Sequence, residues 1–133
     1  MSSFISKLQK RLAKEESGFT LIELLIVLVI IGILLAIAVP SYLGFKVRAE
    51  KAAAQSNVRA AVPSAEAFYA DNSTYVGADN AALKASYDAG IGSNVVVSGQ
   101  SATAYTLTAV KGGCTATVTG PGGTISVSGS GCT

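Results

Sequence analysis

Residues 19–39 read FTLIELLIVLVIIGILLAIAV, and their only polar members are Thr20 and Glu23. A helix of this length rises about 30 Å, the hydrocarbon thickness of a bilayer. The stretch is apolar on every side, so it is not an amphipathic surface helix. Burying it in a soluble core would take a much larger protein than the roughly one hundred residues that remain. The segment is therefore read as membrane-spanning, and nothing after Val39 is long or apolar enough to cross again.

Charge divides unevenly around this segment. The chain has 133 residues, with ten Lys or Arg against eight Asp or Glu. Residues 1–18 hold Lys7, Lys10, Arg11 and Lys14 against Glu15 and Glu16, which accounts for the whole net charge of +2. Residues 19–133 carry six bases and six acids. Lys46, Arg48, Lys51 and Arg59 follow the apolar run, so basic residues flank both ends and the positive-inside rule alone does not orient it.

Composition excludes several kinds of chemistry. There is no His, hence no Ser-His-Asp triad, no Cys-His pair and no His-ligated metal. Two Cys cannot build a zinc site or hold an iron–sulfur cluster. No G-x-x-x-x-G-K-[ST] phosphate loop is present. Asp71, Asp79 and Asp88 are scattered through a loop and read as turn and solubility residues. No enzyme activity, cofactor or metal site is expected, and no nucleic-acid binding is evident.

Glu23 is the odd residue of the apolar run. A carboxylate there costs about 2.5–3.5 kcal/mol on insertion scales, and such residues usually have a partner. Snorkelling to the headgroups would account for Glu23 alone but not for its neighbours. These read Gly18-Phe19-Thr20-Leu21-Ile22-Glu23, with basic residues before the glycine and an unbroken apolar helix after it. With Gly32 inside IIGIL and Pro40 closing AIAVP, the stretch from about Lys14 to Tyr42 closely resembles type IV prepilins of type IVa-like pattern and the pseudopilins of type II secretion.

The resemblance implies a mechanism. A membrane-bound prepilin peptidase cuts between Gly18 and Phe19 on the cytoplasmic side and methylates the new amino terminus of Phe19. It further implies an inner-membrane precursor with the C-terminal domain extracytoplasmic, and afterwards a helical homo-oligomeric filament on the cell surface. An assembly platform and separate ATPases would act as partners. Removal of residues 1–18 leaves an α-amino group that is mostly protonated at neutral pH. The Phe19 amine of a neighbouring subunit is then a counter-ion for Glu23, and pairing offsets the burial of both charges in one axial register only. The resemblance also suggests that residues between Gly32 and Pro40 unwind when subunits pack. A competing reading takes Ala36-Ile37-Ala38 as a secretory cleavage pattern that releases a soluble binding domain from Val39. The long apolar run, its acid and Pro40 just after the cut all weigh against it.

Helical spacing continues beyond Pro40. Leu43, Val47, Ala54, Val58, Ala61, Ala65 and Phe68 form one stripe, with Lys46, Arg48, Glu50, Lys51, Arg59 and Glu66 largely off it. A helix over 41–70 is predicted, with kinks or loosening at Pro40 and Pro63. Phe19, Tyr42, Phe45, Phe68 and Tyr69 are read as packing residues rather than an electron path. Turn formers at Asp71-Asn72-Ser73 end the helix and open a connecting loop over 71–93 with a helical turn at Asn80–Ser86. From 94 the period becomes two, which predicts half-buried strands around Tyr105–Val110, Cys114–Thr119 and Ile125–Val127, with a further strand at Val95–Ser98. Gly112-Gly113 is a hairpin signal and Pro121-Gly122-Gly123 a turn signal. The expected class is α+β: a pilin fold with a long N-terminal helix packed on a small antiparallel sheet. Three regions are expected: a leader over 1–18, a transmembrane and filament-core helix over 19–40, and a soluble head over 41–133.

Cys114 opens a strand and Cys132 is the penultimate residue. If their side of the membrane is extracytoplasmic, a disulfide is expected. Many type IV pilins have a comparable C-terminal disulfide loop. The leading reading is the structural subunit of a type IV pilus. A type II secretion pseudopilin is the alternative; the resemblance implies calcium-binding acids in its C-terminal loop, and here no Asp or Glu follows Asp88. A minor pilin is a further alternative.

Overall fold

The computed structural model describes residues 2–15 and 18–133. Met1, Glu16 and Ser17 lie outside the described residues, and with them one acid of the charge balance over residues 1–18. The chain divides into two compact units, the first ending at Ser41 and the second running Tyr42–Thr133.

The first unit contains helix α1, Ser2–Glu15, and the start of helix α2, Leu21–Asn72. Helix α1 has no counterpart among the elements expected from the sequence. Side chains 21–39 of α2 are exposed throughout, and none of its most apolar 18-residue window is buried. It is the one helix among the described residues long and apolar enough to cross a membrane.

The second unit sets the remainder of α2 against a four-stranded antiparallel meander in the order β1-β2-β3-β4: Val95–Ser98, Tyr105–Lys111, Cys114–Gly120 and Ser126–Ser128. The α2 face that packs on it is built from small residues. Ala54, Val58, Ala61 and Ala65 are fully buried with Leu107, Ala109, Ala116 and Cys114. Three of these four helix positions are alanine, so small side chains make the helix side of this core. Strand alternation sorts the other face: Tyr105, Leu107 and Ala109 point to the core while Thr106 and Thr108 point away.

The two prolines do not interrupt α2. At Pro63 the reason is exposure: the proline lies on the solvent side, so the Arg59 carbonyl it leaves without a donor can be hydrated. At Pro40 the helix also continues, and Ser41 Oγ donates to the Ile37 carbonyl at 3.3 Å. Leu43, placed on the core stripe by its spacing, is instead exposed, as is Phe45. The stripe extends beyond the part of α2 that the sheet covers. Glu50 and Glu66, placed off the stripe, are half-buried.

α2 ends at Asn72, where Ser73 takes a positive φ of 55° and donates its N–H to the Tyr69 carbonyl at 2.7 Å. A short helix α3, Asn80–Ser86, follows; Asp79 Oδ1 caps it by accepting from the Ala82 N–H at 2.8 Å. Lys111 pairs with Cys114, which leaves Gly112 and Gly113 as a two-residue turn with φ of 57° and 84°. Both central positions of that turn type need the left-handed region, which glycine enters without penalty. Ile125 falls outside β4, which is only three residues long.

Candidate functional site

The site expected from the sequence begins at the entrance to α2. Thr20 is the residue before the helix, and its carbonyl accepts the first helical bond, from the Leu24 N–H at 3.2 Å. Glu23 stands three residues on. Its Oε2 accepts from the Thr20 N–H at 2.8 Å and from Thr20 Oγ1 at 2.8 Å. The Glu23 N–H in turn donates to Thr20 Oγ1 at 3.3 Å. This is a reciprocal capping box, and its carboxylate also meets the positive end of the helix dipole. Gly18, Phe19, Thr20 and Glu23 line an open hollow of about 350 Å3.

From the sequence Thr20 stands out only as a polar exception to the apolar run. The signal was present as Thr-x-x-Glu ahead of an apolar helix. Gly32 lies in unbroken helix with open space around it, and Pro40 sits further along the same helix. The structure thus joins Glu23 to Thr20 and leaves Gly32 and Pro40 as separate points along the apolar surface.

In the second unit, Cys114 and Cys132 form a disulfide across a sequence separation of 18, with Cα atoms 4.8 Å apart. The tail residues 129–132 lie along the β2–β3 turn, and the Gly131 N–H donates to the Gly113 carbonyl at 3.2 Å. A Cβ at Gly131 would strike the Gly112 carbonyl, so only glycine allows the tail to lie this close.

A second polar centre was not anticipated. Glu66 Oε2 accepts from the Tyr75 hydroxyl at 2.9 Å and Oε1 from the Tyr105 hydroxyl at 2.7 Å. Both rings are almost fully buried, 4.6 Å apart, and Tyr69 stacks on Tyr75 at 4.6 Å. Burial, followed by the bond to Glu66, pushes the Tyr75 phenol up to about 12. The same two causes raise Tyr105 further. The scattered acids bind locally: Asp71 accepts from the Tyr87 hydroxyl at 2.9 Å and Asp88 from the Gly90 N–H at 2.8 Å.

Comparison with known proteins bears on the first of these centres. A family model, the prokaryotic N-terminal methylation motif, matches residues 14–39. Over its N-terminal part this chain is similar to proteins named as type IV pilins and type II secretion core proteins. It is 43% identical over 58 residues to the type IV major pilin protein PilA of Myxococcus xanthus, covering 44% of this chain and 26% of that protein. It is 37% identical over 62 residues to the type II secretion system core protein G of Dickeya chrysanthemi, covering 47% of this chain and 40% of that protein. It is 51% identical over 53 residues to a fimbrial protein of Pseudomonas aeruginosa, covering 40% of this chain and 34% of that protein. The chain spans between a quarter and a half of the length of the relatives it matches. No solved structure gives a significant match. The relatives are named as pilins, fimbrial proteins and secretion-system components, not as enzymes.

Proposed function

We propose that this chain is the structural subunit of a type IV pilus. Residues 1–18 serve as a leader, 19–40 as the membrane and filament-core helix, and 41–133 as the head. Prepilin peptidase cuts between Gly18 and Phe19 and the Phe19 amine is methylated. The processed subunit waits in the inner membrane with its head outside the cytoplasm. The assembly platform, driven by its ATPases, then packs it into a surface filament.

One observation carries this reading. Residues 21–39, the larger part of the methylation-motif match, are helical, apolar on every side, and exposed throughout. Such a surface finds its partners in lipid first and then in copies of itself. At about 25 cal/mol per Å2, removing it from water is strongly favourable, and the helices of neighbouring subunits supply the matching surface. The capping box supports a role for Glu23, because it holds the carboxylate at the helix entrance next to Phe19. Exchange of Thr20 for the Phe19 amine of a neighbour gives the carboxylate a charged partner in one register. Gly32 and Pro40 are proposed as the points where α2 adapts as subunits pack.

A pseudopilin of type II secretion is the second reading, supported by the matches to core protein G. Co-expression with a prepilin peptidase tests the processing step that both readings share. Mass spectrometry should then find a chain beginning at methylated Phe19. A product that still carries residues 1–18, or that begins at Val39, would contradict it.

A further inference from the structure

The bases that follow the apolar run have no task in the proposed function. Lys46, Arg48 and Lys51 stand within twelve residues of Val39. The proposed orientation puts them outside the cytoplasm, whereas bases beside a span concentrate on the cytoplasmic side. Their own chain offsets one of the three. Glu50, the acid in this stretch, pairs with Lys46 at 3.9 Å. Arg48 and Lys51 form no ion pair among the described residues.

These two bases belong to a built hollow. Residues three and four apart share a helix face, so Arg48 and Lys51 stand on the face of Leu43, Gly44 and Val47. Together with the tail at Cys132 and Thr133 they line an open hollow of about 540 Å3 within the second unit. That volume suits a small-molecule site. One end of the helix wall is apolar and the other is cationic. Gly44 keeps it clear: nothing lies within 4 Å of where its Cβ would stand. Glycine weakens a helix interior relative to alanine, and here no close neighbour requires it.

Position and charge together select the occupant. Leu43 is four residues beyond Val39, so the apolar end of the hollow lies within about 14 Å of the end of the span by chain length alone. Tyr42 and Phe45 adjoin that end and are exposed. Tyr at the end of a span sits at headgroup level, and Phe enters the acyl boundary. Helical side chains lean towards the helix start, which for Arg48 and Lys51 is the side of Leu43 and Gly44. We infer that the hollow seats an anionic phospholipid of the leaflet next to the head. Its phosphate lies between Arg48 and Lys51, and an acyl chain lies against Leu43, Gly44 and Val47. Two bases favour a headgroup of net negative charge over a zwitterionic one, whose own cation they repel. The inference rests on the membrane part of the proposed function and not on processing or filament formation.

The test uses the full chain in vesicles of mixed phosphatidylcholine and phosphatidylglycerol. A trace of one lipid or the other carries a photoreactive group beside its phosphate. After illumination, chymotrypsin releases the fragment 46–68, and mass spectrometry measures its label. Phosphatidylglycerol should label this fragment at least about tenfold more than phosphatidylcholine. Arg48→Gln with Lys51→Gln should bring the two lipids level, and Arg48→Lys with Lys51→Arg should keep the preference. Gly44→Leu leaves the charge unchanged, fills the hollow, and should lower labelling by phosphatidylglycerol several-fold. Arg59→Gln with Lys111→Gln, at exposed positions outside the hollow, should change nothing. Inorganic phosphate should compete no better than chloride of equal ionic strength, which separates a lipid from a free anion. Melting curves establish that each variant folds; if the glutamine pair does not, Gly44→Leu decides. Equal labelling by both lipids in wild type, an undiminished preference in the glutamine pair, or loss of label to phosphate would overturn the inference. Resistance to alkaline extraction reports insertion separately. A chain that inserts without lipid preference overturns this inference alone, and a chain that alkali extracts overturns the membrane reading as well.

Discussion

The Tyr105 hydroxyl donates to Glu66 Oε1 at 2.7 Å, tying β2 to α2 across a sequence separation of 39. The other carboxylate oxygen takes the Tyr75 hydroxyl from the loop after α2. One side chain therefore fixes three elements that are distant in sequence. Among the described residues no base pairs with it, and the two phenols hydrogen-bond to it.

Glu66→Ala leaves two buried phenols without acceptors. Each unsatisfied buried group costs about 1–3 kcal/mol, so the head should lose several kcal/mol and melt at a markedly lower temperature. Glu66→Gln, which keeps one carbonyl acceptor, should lose less. Thermal melting followed by circular dichroism measures both, and an unchanged melting temperature in Glu66→Ala would contradict the role assigned to Glu66.

The same cluster predicts alkaline behaviour. Tyr75 titrates near 12 in the folded chain and near the ordinary value of 10.0 when unfolded. A raised folded value means that the folded state holds its proton more tightly. Its contribution is fully present below about pH 10, where both states are protonated, and is lost as pH rises towards 12. Stability measured by denaturant titration should stay level with respect to this group up to pH 10 and fall steeply above it. Tyr75→Phe should flatten that fall.

Thr20→Ala removes the hydroxyl that both gives and accepts in the capping box. Loss of a Thr cap costs about 0.5–2 kcal/mol locally. Hydrogen exchange at the Glu23 and Leu24 amides should speed up, whereas Thr20→Ser should exchange like wild type. The melting temperature of the head should not change.

Reduction of the Cys114–Cys132 disulfide frees a loop with a sequence separation of 18. The chain-entropy treatment assigns a loop of this size about 3 kcal/mol. The tail has little apolar packing of its own beyond Cys132, so it should detach first. Limited proteolysis should cut within residues 120–133 after reduction and not before, and the melting temperature should fall.

Much of the fold was legible because its signals are local. Tyr105, Leu107 and Ala109 alternate with threonines, and two glycines mark the turn that follows. The path of Glu66 was not legible. It neighbours Ala65 on the buried stripe, but its partners are set by the loop around Tyr75 and by the register of β2, both of which are long-range. Leu43 was misread for the opposite reason: its spacing matches the stripe, yet the sheet does not reach it. Helical spacing states which face a residue occupies and not how far along the helix a partner extends. α2 runs on through Pro40 and Pro63, and exposure of Pro63 lets water replace its missing internal bond. Within the candidate site, Glu23 stood out by its charge among apolar residues. Thr20, the side chain that holds it in this structure, was hidden by its ordinary polarity.

The central claim is that residues 19–39 become the core of a filament. Surface filaments should be sheared from cells that express the chain, imaged, and their subunits analysed by mass spectrometry. Wild-type filaments should consist of a chain that begins at methylated Phe19. Glu23→Ala should insert in the membrane at normal levels and yield few or no filaments. Subunits that begin at Met1 or Val39, or abundant normal filaments from Glu23→Ala, would contradict the account.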